Sequence, residues 1–152
     1  MRVQDVMTRR VETIDDQASA ELAFDSMKVK GIRHLVVKKG SELVGVLSQR
    51  DLGVPDQHDF REKHRVAELM TTQVVTASPD MSVRQAANLM RGRSIGCLPV
   101  VEEDHRNRLV GIVTVFDLLE LLGRGVDRPA PGRRVILKAR GPRVDSKAKR
   151  MR

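Results

Sequence analysis

Apolar positions along this chain follow two periods that alternate in a fixed order. Ala20, Ala23, Phe24 and Met27 fall at i, i+3, i+4 and i+7, one stripe of a helix that Ser19 can cap and Gly31 can end. Ile32 to Lys38 and Glu42 to Leu47 are rich in β-branched residues and predict two strands, joined by the tight turn Lys39-Gly40-Ser41. Upstream, Val3, Val6 and Met7 share a face of a short helix or extended arm within residues 1–10, and Thr13 to Asp16 reads as a brief extended piece.

The same order then returns. Val3 to Thr8 (VQDVMT) matches Val66 to Thr71 (VAELMT), and Thr13 matches Thr76. Ala20, Ala23, Phe24 and Met27 match Val83, Ala86, Ala87 and Met90, and Ile32, Leu35 and Val37 match Ile95, Leu98 and Val100, all at an offset of 63. Leu43 meets Leu109 at an offset of 66, so the second copy carries three extra residues in the turn Glu102 to Arg108. Ser82-Val83-Arg84-Gln85 is a capping-box pattern, and Ser94 to Val101 and Arg108 to Val113 are strand candidates. Pro99 removes a ladder donor, so its strand is expected at an edge or beside a bulge. Thr114 leads into a helix whose Phe116, Leu119 and Leu122 are expected to face inward and which Gly123 is expected to stop.

Gly53-Val54-Pro55 breaks any long helix after Asp51, and the charged run Asp56 to Arg65 reads as a linker with one exposed helical turn. His58 and His64 are six apart, not at the i,i+4 spacing of paired ligands on a helix, and read as solvated side chains. A two-stranded ribbon with one or two helices leaves an apolar sheet face bare, and adjacent repeats can bury those faces together. The expected organisation is a first repeat over 1–60, a second over 61–123, and a tail over 124–152, with approximate two-fold symmetry and a cleft between the repeats.

Composition sharpens this picture. The chain of 152 residues is 40% apolar but has no Trp or Tyr and only three Phe, so aliphatic side chains fill the core and a ligand ring would meet Val, Ile or Met faces. The single Cys97 lies in an apolar run, which argues against an internal disulfide or cysteine metal cluster and for a small buried side chain. The net charge of +8 is segregated: residues 1–123 hold 17 basic and 18 acidic side chains, and residues 124–152 hold 11 and 2. Any attraction to nucleic acid therefore belongs to the tail, which has no aromatics for base stacking. No secretory signal or apolar stretch of membrane-spanning length is seen, so no membrane insertion and a cytoplasmic location are expected.

The candidate chemistry lies where each hairpin ends. Leu43-Val44-Gly45-Val46-Leu47-Ser48-Gln49-Arg50-Asp51-Leu52 and Leu109-Val110-Gly111-Ile112-Val113-Thr114-Val115-Phe116-Asp117-Leu118 both place a hydroxyl at a strand end and a carboxylate three residues on. Such a hydroxyl can cap free backbone N–H groups or help them hold an anion, with the Asp about one turn away on the same side. One Gly-x-x-Ser/Thr-x-x-Asp arises easily by chance, but two inside a larger repeat carry weight. Ser48 and Thr114 can equally be plain N-caps, with Asp51 and Asp117 stabilising a first helical turn.

These motifs together resemble a tandem pair of cystathionine-β-synthase (CBS) domains, the Bateman module. The resemblance runs from about Val3 to Leu122 and includes DVMT and ELMT, the amphipathic helices, Gly31-Ile32-Arg33-His34-Leu35-Val36-Val37 with its counterpart Ser94-Ile95-Gly96-Cys97-Leu98-Pro99-Val100, and the paired Asp endings. It implies an α/β fold of two pseudo-symmetric CBS repeats, each a small sheet with packed helices. It implies a regulatory module that binds an adenosine-containing ligand such as AMP, ADP, ATP or S-adenosylmethionine in the inter-repeat cleft. Carried over, one site would use Asp117 for ribose and Thr114 near phosphate, with Thr13, Ile32 and Arg33 around the base. The other would use Asp51 and Ser48, with Thr76, Ile95 and Gly96 around the base. Arg33 and His34 stand where the second copy has Gly96 and Cys97, so the Asp51 site has positive charge from its own repeat that the Asp117 site lacks there, and the two sites are expected to differ in phosphate preference. The resemblance also implies a homodimer, supported by the leucines Leu118, Leu119, Leu121 and Leu122, and an effector protein that the residues do not identify. The alternative is a nucleic-acid-associated regulator acting through 124–152. An enzyme is disfavoured, since His34, His58, His64 and His105 form no metal or nucleophilic arrangement and no Walker A loop is present.

Overall fold

Each repeat is a hairpin flanked by a helix whose ends the sequence marks, in a computed structural model that describes residues 1–104 and 108–125. Helix α1 is Val3–Val6, and strand β1, Thr13–Asp15, comes after it. Helix α2 (Ala20–Lys30) starts at Ser19, whose hydroxyl accepts from the Leu22 N–H at 3.1 Å, and ends at Gly31 in the left-handed region, φ 61°. Strands β2 (His34–Lys39) and β3 (Glu42–Ser48) pair antiparallel, and β1 runs parallel to β2 on the far side, giving the order β1-β2-β3. A 3₁₀ turn, Gln49–Leu52, and two short helices, α3 (His58–Lys63) and α4 (Val66–Leu69), lead to the second copy. There α5 (Val83–Arg93) starts on the Ser82–Gln85 capping box, strands β4 (Cys97–Glu102) and β5 (Arg108–Thr114) form a hairpin, and α6 spans Val115–Arg124. The registers end at Lys39↔Glu42 in one hairpin and Glu102↔Arg108 in the other, so the inserted residues do fall in the turn.

Pro99 explains why the second sheet lacks a third strand. In the first repeat the Val36 N–H donates to the Glu12 carbonyl at 3.2 Å and helps hold β1 against β2. The matching position is Pro99, which has no N–H to give. What remains is an isolated parallel bridge, Ala77↔Val100, made by the Ala77 N–H to the Pro99 carbonyl and the Val101 N–H to the Ala77 carbonyl, both at 2.9 Å. A register shift lies nearby at Val100/Val101, but Val37/Lys38 has the same one without a proline, so the bulge belongs to the repeat.

The hydrophobic clusters do not keep to the chain order. Val3 is buried with Ala77, Ala86, Met90, Leu98, Val100 and Val113 of the second repeat, and Val66 is buried with Ala20, Ala23, Met27, Leu35 and Leu47 of the first. Each opening segment has thus crossed to the other repeat. The Val3 N–H donates to the Met81 carbonyl and the Val66 N–H to the Ala18 carbonyl, both at 2.8 Å. Thr8 then exchanges two backbone hydrogen bonds with Ile112 on β5 (2.9 and 3.0 Å), and Thr71 does the same with Val46 on β3 (2.9 and 3.0 Å). Gly45 and Gly111 permit these crossings, since a Cβ there would lie 3.0 Å from the Thr71 carbonyl oxygen or 3.1 Å from that of Thr8 and would strike the sulfur of Met70 or Met7.

Two sequence expectations are corrected here. The linker is the largely exposed short helix expected, with one exception: Arg61 on α3 is only 1% exposed. Its guanidinium donates to Glu21 at 2.7 Å, to the Val54 and Pro55 carbonyls at 2.7 and 2.9 Å, and stacks over the Phe24 ring at 3.8 Å. The long arginine side chain satisfies the carbonyls of the Gly-Val-Pro break and lowers the Glu21 pKa below the usual carboxylate range, which a reading of the run as surface charge misses. His58, still exposed, joins the same carboxylate at 3.0 Å. In α6 the phase differs from the expectation: Leu118 and Leu121 pack inward, while Phe116, Leu119 and Leu122 are 54%, 55% and 68% exposed. The helix also passes Gly123 and stops at Gly125, φ 85°. Its start at Thr114 sets that phase. Among the described residues no helix is long and apolar enough to cross a membrane. The basic tail beyond residue 125, and His105, lie outside the described residues.

Replacing Arg61 by Met keeps much of the bulk but leaves the loop carbonyls without their donor and Glu21 with only the exposed His58. Urea unfolding of Arg61→Met is expected to show a loss of about 3 kcal/mol; a change below about 0.5 kcal/mol, the range of ordinary surface substitutions, would contradict the clasp.

Candidate functional site

The two strand endings close into capping boxes of nearly the same geometry. At the end of β5 the Thr114 N–H donates to Asp117 Oδ2 at 2.7 Å, the Thr114 hydroxyl lies 3.0 Å from the same oxygen, and the Asp117 N–H donates to Thr114 Oγ1 at 3.3 Å. At the end of β3 the Ser48 N–H donates to Asp51 Oδ2 at 2.8 Å and the Ser48 hydroxyl lies 3.0 Å away. The capping reading is therefore realised in both, and it orients each half-buried carboxylate. Beyond the boxes the two copies diverge: α6 runs from Val115 to Arg124, whereas the first copy stops after the single 3₁₀ turn at Gly53, φ 74°.

Each box borders a cavity built from both repeats. Asp117 and Thr114 line one of about 810 Å³, whose opposite wall is Ile32, Arg33 and His34 from the first repeat. Asp51 and Ser48 line another of about 740 Å³, closed by Ile95, Gly96 and Cys97 from the second repeat. Nine of the eleven sequence-predicted residues thus reach a cavity wall. Thr13 and Thr76 lie outside both linings: Thr13 is exposed on β1, and Glu12 and Val75, one residue earlier, take the wall positions. Sequence reasoning also missed Thr8 and Thr71, which the crossed segments deliver to the Asp117 and Asp51 cavities respectively. Their signal was the repeated Met-Thr pair, which periodicity assigns to an arm and not to a wall.

Arg33 and His34 line both cavities. Besides them the Asp117 cavity has Arg10 and Arg124 alongside Glu12 and Glu120, the last paired with Arg124, whereas the Asp51 cavity has Arg50 and, among the described residues, no carboxylate in its lining but Asp51. The Arg33 guanidinium lies over the Phe116 ring at 4.6 Å from its centre, a cation–π contact across the boundary between repeats. His34 packs against Gly96, where a Cβ would come within 3.1 Å of its Nε2. Burial pushes the His34 pKa below its ordinary 6.5, so at neutral pH the imidazole is uncharged. Cys97 is buried, and burial pushes its thiol up to about 12, leaving no thiolate for nucleophilic chemistry. Among the described residues no group of three or more His, Cys, Asp or Glu could hold a metal ion.

A symmetric pair of crossed repeats with a carboxylate-capped turn at each of two shared cavities defines a class of protein. The CBS-domain model matches residues 3–52 and 66–124, and the chain belongs to that family as a tandem pair. It is 33% identical over 117 residues to the CBS domain-containing protein YhcV of Bacillus subtilis, covering 76% of this chain and 81% of that protein. It is 37% identical over 122 residues to the homoserine O-acetyltransferase of Methanococcoides burtonii, covering 80% of this chain but spanning only 24% of that protein's length. Among solved structures, the CBS domain pair of protein MJ0100, in complex with 5′-methylthioadenosine and S-adenosyl-L-methionine, superposes with a TM-score of 0.71 at 30% identity, covering 82% of this chain and 97% of that one.

Proposed function

We propose that this CBS pair is a non-enzymatic sensor of an adenosine-containing ligand, which binds in the cavities between the repeats and alters the energy of their relative arrangement. The observation that carries the reading is the placement of Asp117 and Asp51, each oriented by its cap and each on the wall of a cavity of nucleotide size. A carboxylate accepts up to about four hydrogen bonds, so capping and holding a ribose diol are compatible roles. Thr114 and Ser48 stand beside it for a phosphate, and Ile32 and Ile95 offer apolar faces to the base. The MJ0100 structure supports the adenosyl class, as that domain pair is in complex with 5′-methylthioadenosine and S-adenosyl-L-methionine. AMP, ADP, ATP and S-adenosylmethionine all fit this description.

Since each cavity draws on both repeats, a ligand that prefers one spacing of its walls shifts the population of that spacing, and an effector touching the outer surface can read it. Leu122 on α6 is exposed and lines neither cavity, so it is free to meet a second copy of the chain, and the working unit in this reading is a homodimer.

Calorimetry with AMP, ADP, ATP and S-adenosylmethionine is expected to show sub-millimolar binding of at least one, with light scattering reporting a dimer. Asp117→Asn and Asp51→Asn keep a capping oxygen but lose the charge, and each should weaken its own cavity about tenfold or more. Equal binding by wild type and both variants would refute the assignment.

A further inference from the structure

The walls of the two cavities share three residues, Arg33, His34 and Phe116, and of these only Arg33 is charged at neutral pH. Its guanidinium rests on Phe116, the residue before Asp117 in chain order, while its own backbone carbonyl accepts from the Gln49 N–H at 2.8 Å in the turn that carries Asp51. Arg33 is therefore attached to one site through its main chain and to the other through its side chain. Among the described residues no carboxylate is ion-paired with it. The remaining cations are private to one cavity: Arg10 and Arg124 line the Asp117 side, and Arg50 lines the Asp51 side.

A symmetric module would supply this central cation twice, once from each repeat. Here the second repeat has Gly96 at that position, and the space a side chain would take there is closed by the His34 ring. We propose that the two cavities compete for the single guanidinium of Arg33, so that a phosphate-bearing ligand in either one weakens the binding of a second phosphate-bearing ligand in the other. This rests on the adenosyl-sensor reading and specifies its regulation. One positive charge cannot neutralise two phosphates on opposite sides of one wall, and across that wall the uncompensated anions repel. The coupling acts only between anionic ligands. A nucleoside without phosphate has nothing to draw Arg33 off Phe116, so the module accepts one phosphorylated and one unphosphorylated adenosyl ligand together more readily than two phosphorylated ones.

The test is calorimetry on the full chain with AMP and with adenosine, using Asp51→Asn and Asp117→Asn as references in which one cavity is weakened, so that the other fills first. The second AMP is expected to bind wild type about tenfold more weakly than the same cavity binds it in the reference variant, within the usual range for coupled sites. Adenosine is expected to show no such difference. Arg33→Met, at an exposed position, should lower AMP affinity in each cavity yet abolish the difference between first and second binding, and Arg33→Lys, which restores the charge, should restore most of it. AMP constants that equal those of the reference variants, a second AMP that binds more tightly, coupling that survives Arg33→Met, or a single Asp variant that abolishes all AMP binding would each overturn the proposal while leaving the sensor reading standing. Wild type that binds neither AMP, adenosine nor the other ligands of the panel would overturn both.

Discussion

Four backbone hydrogen bonds of 2.9 to 3.0 Å, between Thr8 and Ile112 and between Thr71 and Val46, hold this molecule in its working shape. They fasten the opening segment of each repeat to the second hairpin strand of the other. A hairpin with one helix cannot cover its own apolar sheet face, and the exchange supplies the missing cover: Val3 completes one cluster and Val66 the other. The glycines of the strand motif answer to the same constraint, because no side chain fits at Gly45 or Gly111 where the partner backbone crosses. So do the cavities, whose walls combine a crossed segment, a strand ending and the hairpin start of the opposite repeat.

On this symmetric frame the chain builds unequal halves through a few substitutions. Pro99 lacks the N–H that Val36 uses, and a third strand becomes a bridge. Gly53 and Pro55 stop the first copy's last helix after one turn, and Arg61 then satisfies the carbonyls that the break exposes. Gly96 and Cys97 replace Arg33 and His34, which leaves one cation at the centre of the molecule where symmetry would place two. Each change is local, and two of them reach a cavity, since Gly53 and Pro55 and then Gly96 and Cys97 all line the Asp51 side.

Much of the fold was legible because its signals are local. Ser19 with Gly31, the Ser82–Gln85 box and the hydroxyl-to-Asp spacing each specify an element boundary through contacts within four residues. The repeat then showed that the Asp turns come as a pair, and nine candidate residues found the cavity walls. What was not legible depends on contacts distant in sequence. The crossing of Val3 and Val66 cannot be seen in either repeat's periodicity, so Thr8 and Thr71 were read as arm residues and Thr13 and Thr76 were placed one residue past the wall. Arg61 sits in a run whose composition says solvent, and only its reach to Glu21, Val54 and Pro55 reveals a buried group. In α6 two of every three residues from Val115 to Leu122 are apolar, so periodicity singled out no one buried face.

The crossing of the segments is the claim on which the cavities, and with them the sensor reading, depend. Amide hydrogen exchange of Gly45→Val and Gly111→Val tests it most directly, because each substitution blocks one crossing and leaves the other alone. Gly111→Val is expected to release protection in residues 3–8 while residues 66–71 stay protected, and Gly45→Val is expected to do the reverse. Loss of protection in the segment belonging to the substituted repeat, 66–71 for Gly111→Val and 3–8 for Gly45→Val, would contradict the account.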